Sequence, residues 1–242
     1  APPGSQSRKR KRRAEALGRS AVPRCLPSVR LEIQESVPGF AVARGFLGAL
    51  FRQKLERIVD NSLLPPAESV ARRSAPSGQR PAADQAMRFG ADMPGWANRL
   101  GLRCSKLPGL LSAEVKSRQP LFDQLIANAY QAGQGIGRHV DLLKFDDGIL
   151  GVCLGADATL RLRRISPGAL PVAAGRECAL MDDDLDGQFV DVEVRAGDVY
   201  ALCGDARYRW THEISAESLR GGNRRVSLTL RKLLQSSWRG PE

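Results

Sequence analysis

The spacing of apolar positions changes character near Pro120. Before it, Phe46, Leu47, Leu50, Phe51, Leu55, Ile58 and Val59 recur at helical spacing and predict an amphipathic helix, and 94–112 predicts a second short helical stretch. Residues 64–86, rich in Pro, Ala, Arg and Ser, read as a polar connector. Beyond Pro120, short β-type runs follow at 125–131, 149–154, 159–162, 189–194, 199–203 and 226–230, separated by turns that hold Gly and Asp. Many short strands with few helices between them predict an antiparallel sandwich or barrel, with a jelly roll as the leading choice. The expected fold is therefore mainly β with N-terminal helices.

With 242 residues and 42% hydrophobic content, the chain can bury one substantial core. Residues 1–36 are Arg/Ser/Pro-rich and nearly free of large apolar side chains, so they cannot offset the entropy of ordering and read as a disordered basic tail. Residues 37–235 form the expected domain, with its core over about 121–235. The formal net charge is +11, yet residues 1–30 hold nine Lys/Arg against Glu15 alone, so +8 belongs to that segment and +3 to the rest. The basic excess thus describes a tail rather than a folded surface. Its run Arg8-Lys9-Arg10-Lys11-Arg12-Arg13 fits an import receptor's signal, a phosphate-binding arm, part of an organelle-targeting peptide, or a solvated tail. Nucleus or cytoplasm is the expected location, an organelle the further option.

No apolar run approaches the roughly 20 residues that cross a bilayer, and no signal pattern opens the chain, so a soluble monomer with no membrane partner is expected. The absence of an initial Met reads as a trimmed or processed N-terminus. Cys25, Cys104, Cys153, Cys178 and Cys203 are odd in number and contain no CxxC pair, which points to a reducing compartment. Cys153 and Cys203 sit in apolar runs and read as small core residues.

The chain has two histidines. His139 lies at the end of a predicted strand in Gly135-Ile136-Gly137-Arg138-His139-Val140-Asp141, and residues two apart on an extended chain project to one side, so His139 and Asp141 can reach one ion. His212 follows in Arg207-Tyr208-Arg209-Trp210-Thr211-His212, again in a β-type run. Two His and one carboxylate on one face of an ion leave other positions open, the arrangement of non-haem iron(II) oxygenases. A lone His on a strand is also what a hydrogen-bonded core or surface residue gives.

In Arg224-Arg225-Val226-Ser227-Leu228-Thr229-Leu230-Arg231, polar Arg225, Ser227, Thr229 and Arg231 alternate with apolar Val226, Leu228 and Leu230. Two inward arginines are costly unless an anion meets them, and a dicarboxylate would do so through bidentate pairing. An exposed polar face reads equally well from the pattern alone.

Asn128-x-Tyr130, Gly133-x-Gly135-Ile136, His139-x-Asp141, Gly197-Asp198, Gly204-x-Ala206-Arg207, Trp210-x-His212 and Arg225-x-Ser227-Leu228-Thr229-x-Arg231 together resemble, in order and spacing over 37–234, the AlkB family of iron(II)- and 2-oxoglutarate-dependent dioxygenases. The Tyr-x-x-Gly-x-Gly-Ile opening and the Arg-Tyr-x-Trp-x-His stretch look closest to its eukaryotic RNA-directed members. The resemblance implies a double-stranded β-helix, which is a jelly-roll core, preceded by helices and a nucleotide-recognition lid at about 80–120. It implies His139, Asp141 and His212 as ligands of Fe(II). It implies Asn128, Tyr130, Arg225, Ser227 and Arg231 as contacts of 2-oxoglutarate, Arg225 on the distal carboxylate and Arg231 nearer the metal. Dioxygen would be the other cosubstrate, and methylated RNA or DNA the partner.

The activity implied is hydroxylation of a C–H bond coupled to decarboxylation of 2-oxoglutarate, which on an N-methyl group ends in demethylation. RNA is expected over DNA. The alternatives are the same chemistry on a protein side chain, and a catalytically silent jelly-roll binding module. A base must leave its stack to react, and Phe89 or Trp96 could stack on it, although both also read as core aromatics. Where many family members have Ser-Leu-Gly-Ser, this chain reads Cys153-Leu154-Gly155-Ala156. Asp182, Asp184, Asp186, Gly187 and Glu193 match a calcium-loop pattern, but the run after them alternates like a strand where an EF-hand needs a helix, so an acidic hairpin loop is expected.

Overall fold

Alternation along the strands decides the layering. In the structure, a computed structural model that describes residues 29–64, 84–169 and 182–234, Leu125, Ala127 and Ala129 of β4 (Gln124–Gln131) enter one hydrophobic cluster. Ile126, Asn128 and Tyr130 on the opposite face line a cavity. The neighbouring β10 (Arg220–Arg231) does the same, Val226, Leu228 and Leu230 facing the cluster and Ser227, Thr229 and Arg231 the cavity. A sheet with both faces buried needs a cover on each side.

Helices cover the outer face. α1 (Ala49–Ser62) buries Leu55 and Val59, and α2 (Gly95–Ser105) buries Ala97, Leu100 and Cys104, both in the cluster that holds the outward side chains of β4 and β10. α3 (Ala113–Lys116), capped by the Ser112 hydroxyl accepting from Val115 N, adds Val115. Both predicted helical stretches are therefore present.

The major sheet runs β1 (Arg30–Ile33), β2 (Phe40–Arg44), β8 (Val199–Leu202), β6 (Ile149–Ile165), β10, β4, β3 (Asp84–Phe89), antiparallel throughout. The second half of β6 leaves it to form a minor sheet with β7 (Leu185–Val194) and β9 (Trp210–Ile214), and β9 pairs in turn with β5 (Ile136–His139). A second hydrophobic cluster joins Cys153, Tyr200 and Leu202 of the major sheet to Leu160, Val194 and Ile214 of the minor one. The fold is the expected jelly roll, mainly antiparallel β with helices on one side.

Three sequence expectations are corrected. Residues 149–154 and 159–162 belong to one strand, β6, because Gly155 at φ 74° lets it bend between the sheets without ending. Arg30–Ile33, assigned by composition to the tail, pairs with β2: Leu31 packs on the main cluster and Glu32 accepts from Arg44 Nε at 2.7 Å. Asp84–Phe89 extends a strand into the expected connector and lid, where Ala86 packs on the same cluster. Of the remaining lid stretch, Leu100, Leu110, Leu111 and Val115 sit in the main core. The basic run 8–13, Cys25 and Cys178 lie outside the described residues.

The two residues Gly39 and Cys203 hold β2 to the end of β8, with Cys203 N donating to Gly39 O at 2.9 Å. Gly39 has φ +88°, and a Cβ there would fall 1.8 Å from Cys203 O. Gly39→Ala is expected to lower stability by roughly 3 kcal/mol, from left-handed strain together with the clash. Chemical denaturation measures it.

Candidate active site

Register brings the ligands together. His139 and His212 are directly opposed across β5 and β9, with ring centroids 4.2 Å apart. Asp141 follows β5 by two residues, and ligand atoms of all three side chains lie within 4.8 Å of one another. Among the described residues no other group of three metal-ligating side chains forms. The predicted triad is therefore assembled as expected. His139 Nδ1 pairs with Gly137 O at 2.7 Å; a carbonyl only accepts, so Nδ1 carries the hydrogen and Nε2 is free to ligate.

Asp141 is only 7% exposed. Burial by itself would raise its carboxyl, but His212, Arg231, His139 and Arg207 outweigh burial and hold it down to about 2. Arg231 Nη1 donates to Asp141 Oδ1. The guanidinium is aimed by Gln124, whose Oε1 accepts from Nε at 2.6 Å, and by Phe145, whose ring centroid lies 3.9 Å from it. Arg207, also buried, donates to the carbonyls of Asp141 at 3.0 Å and of Leu142 and Phe145 at 2.9 Å, fixing the loop that carries the ligand. Burial, then His139, pushes the His212 imidazole down to about 3, so it is neutral near pH 7. The charged carboxylate and neutral imidazole are the protonation states a metal requires.

A cavity of about 180 Å³ opens beside the triad. Asn128, Tyr130, Ser227 and Arg231 all line it. Ser227 stands opposite Asn128 across β10 and β4, Arg225 opposite Tyr130, and Gln85 Nε2 of β3 donates to Asn128 Oδ1 at 2.8 Å. Arg225 is 0% exposed and absent from the lining. Its Nη1 donates to Ala156 O at 3.3 Å and its Nη2 to Cys153 Sγ at 3.5 Å, while Nε has no partner among the described residues. Burial raises the Cys153 thiol, so no anion there neutralises Arg225. A buried guanidinium beside a polar cavity and without a carboxylate is what the far end of a dicarboxylate would complete.

Sequence reasoning missed Gln124, Gln85, Met87 and Tyr200 around this cavity, and gave Arg207 no role beyond its motif. An inward polar residue alternating with Leu125 was a usable signal for Gln124; the others depend on pairing between distant strands. Gly197-Asp198 is architectural: Asp198 accepts from Gly45 N at 2.8 Å and Arg195 N at 3.0 Å and pairs with Arg44. Trp96 is half-buried against the main core. Asp182–Asp184 form a short 3-10 turn, and the strand expected over 189–194 begins earlier, at Leu185; Asp182 pairs with Arg138 at 2.5 Å and Asp186 lies 3.5 Å from Arg164.

A model of the 2OG-Fe(II) oxygenase superfamily matches residues 77–231, and the chain belongs to that superfamily. Membership brings iron(II), 2-oxoglutarate and dioxygen, for which the two-His-one-Asp donor set and the anion-lacking Arg225 are fitting partners. Within the superfamily the chain is similar to AlkB homologues. Over 94 residues it is 31% identical to a Xenopus tropicalis protein named tRNA (carboxymethyluridine(34)-5-O)-methyltransferase alkbh8, covering 38% of this chain and 12% of that one. Over 120 residues it is 28% identical to the Arabidopsis thaliana alkylated DNA repair protein ALKBH8 homolog, covering 46% and 34%. The chain thus spans a minor part of these relatives' length. OsALKBH1 shares the fold at TM-score 0.51 and 15% identity, over 84% of this chain and 100% of that one. The non-heme alpha ketoglutarate dependent epimerase SnoN does so at 0.50 and 14%, over 81% and 78%.

His139→Ala is expected to abolish stoichiometric iron(II) binding while leaving the metal-free protein folded. Asp141→Ala should also strip about 3–5 kcal/mol from the metal-free protein, because Arg231 then stays buried without its carboxylate. Metal analysis and denaturation separate the two effects. Acidification destabilises the metal-free protein through both buried ligands. The unfolded chain protonates its imidazole below 6.5 while the folded His212 resists to about 3, so stability falls with pH from 6.5; the share from Asp141 is lost between 3.8 and about 2. His212→Gln should flatten the upper part of a pH–stability curve.

Proposed function

We propose that this chain oxidatively demethylates or hydroxylates a modified nucleic acid, RNA rather than DNA. The observation that carries this reading is the rim formed by β3. Gln85 and Met87 reach the cavity wall, and on the same face Met87 is 42% and Phe89 40% exposed. A base turned out of its stack would meet an apolar and aromatic surface beside the metal ligands, and such stacking is worth about 1–3 kcal/mol per base. Two of the relatives, one named as a tRNA methyltransferase and one as an alkylated DNA repair protein, support a nucleic-acid substrate.

In this reading His139, Asp141 and His212 hold iron(II). Asn128, Tyr130, Ser227 and Arg231 hold 2-oxoglutarate along the cavity, and Arg225 receives its distal carboxylate. Bound iron would supply dioxygen activation coupled to decarboxylation of the oxo acid, and an N-methyl group hydroxylated there is lost as formaldehyde. The chain's own part is to orient and to exclude water: Ile149, Leu160, Leu202 and Ile214 make the apolar wall. Burial keeps the Tyr130 phenol protonated, against Ser227, Arg225 and Asn128, so it donates to a carboxylate. The basic tail would add phosphate contacts to those of this site.

The test begins with anaerobic iron(II) and 2-oxoglutarate binding to wild type and to His139→Ala, followed by succinate release in air. Methylated RNA oligonucleotides are expected to raise succinate release several-fold, more than matched DNA, and Phe89→Ala to lower kcat/KM for RNA by about tenfold. Stimulation by proteins and by neither nucleic acid would overturn the reading.

A further inference from the structure

Across the major sheet one inward row reads Met87, Ile126, Thr229, Gly151 and Tyr200, each opposite the next on adjacent strands. Gly151 is the position in this row without a side chain, and the Tyr200 ring occupies that space: a Cβ on Gly151 would lie 2.1 Å from Tyr200 Cζ. The ring is thereby laid over the sheet as part of the cavity wall. Thr229 in the same row lies between Arg225 and Arg231 along β10, so the ring sits between the anion-lacking buried guanidinium and the metal-side one. Tyr200 is 8% exposed, and its hydroxyl makes no hydrogen bond with a described residue. Its electrostatic neighbours are Cys153 and Arg225, then Asp141 and Tyr130.

A buried phenol is expected to find a polar partner. Here the Tyr200 ring lines the cavity, and Arg225 Nε, buried and outside the lining, has no partner among the described residues. Arg225 Nε only donates, whereas the Tyr200 hydroxyl both donates and accepts, and an anion placed beside them would take a hydrogen from each. Burial raises the Tyr200 phenol, which keeps it a donor.

We propose that Tyr200, laid over Gly151, is a cosubstrate-binding residue that donates to the distal carboxylate beside Arg225 and gauges the length of the oxo acid. This rests on the dioxygenase reading above and adds the group that selects which acid the cavity accepts. A five-carbon 2-oxo diacid ends at the hydroxyl; one methylene more drives its carboxylate against the ring, and misfit of a single methylene in a fitted pocket is worth about 10–200-fold.

Calorimetric titration of the anaerobic, iron(II)-loaded full chain with 2-oxoglutarate and with the one-carbon-longer 2-oxoadipate tests it. Wild type should bind 2-oxoglutarate in a His139-dependent manner and prefer it over 2-oxoadipate. Tyr200→Phe keeps the ring and should weaken 2-oxoglutarate about tenfold with iron(II) affinity unchanged, the loss of one hydrogen bond to a charged group. Tyr200→Val should cut the preference between the two acids by at least about tenfold. Gly151→Ala, at a residue with ordinary backbone angles, should press the ring into the cavity and weaken both acids. A Tyr200→Phe protein that binds as tightly as wild type, together with a Tyr200→Val protein that discriminates as well, overturns the proposal. Absence of His139-dependent 2-oxoglutarate binding in wild type overturns the dioxygenase reading itself, before any Tyr200 variant is measured.

Discussion

A carboxylate taken out of water must be surrounded by positive charge and donors, and Asp141 imposes that requirement on the rest of the molecule. Its side chain meets Arg231 and lies 3.5 Å from His212 Nε2, while Arg207 grips its backbone carbonyl. Each partner is itself constrained: Arg231 by Gln124 and Phe145, Arg207 by three carbonyls of one loop. The ligand therefore arrives ionised and oriented because β4, β10, the loop after β5 and the short helix α4 (Asp205–Tyr208) all converge on it. Two buried arginines around one aspartate also leave a net positive environment, which suits a site that must accept an anionic oxo acid.

The two halves of the site belong to different sheets. The minor sheet supplies His139 and His212; the major sheet supplies Asn128, Tyr130, Ser227, Arg225 and Arg231. β6 is the one strand common to both, and its bend at Gly155 sets their relative position. A Cβ at Gly155 would lie 2.6 Å from Arg224 O, so the bend is also held against the strand that carries both arginines. The N-terminal helices contribute no metal ligand, yet without their apolar faces the outer side of β4 and β10 would be wet and the alternation that aims Arg225 and Arg231 inward would lose its driving force.

Much of this was legible in the sequence because it is periodic. His139-x-Asp141 and the Arg225 to Arg231 alternation are period-two patterns, and strands preserve such patterns faithfully. The single strand β6 was not legible, since Gly155 and Asp157 look like turn residues until the partners on both sides are known. β1 and β3 were hidden for a related reason: each is a short edge strand flanked by polar, Pro- and Arg-rich sequence, and its pairing, not its composition, orders it. Arg207 and Gln124 act on residues far along the chain, so sequence spacing carries no trace of their partners.

Tyr200 shows how far such hidden pairing can reach into function. Within Val199-Tyr200-Ala201-Leu202, all buried, it reads as one more apolar strand residue. Only the register that sets it opposite Gly151 turns its ring into the cavity wall, where its hydroxyl has no hydrogen-bond partner among the described residues. The same register fixes Arg225 opposite Tyr130 and Gly155, so the polar end of the cavity is built from cross-strand neighbours of two glycines. Small residues on β6 thereby determine how large side chains from β8 and β10 fill the space between the sheets. The pairing pattern that sets the geometry of the fold therefore also sets the shape of the cavity between the sheets.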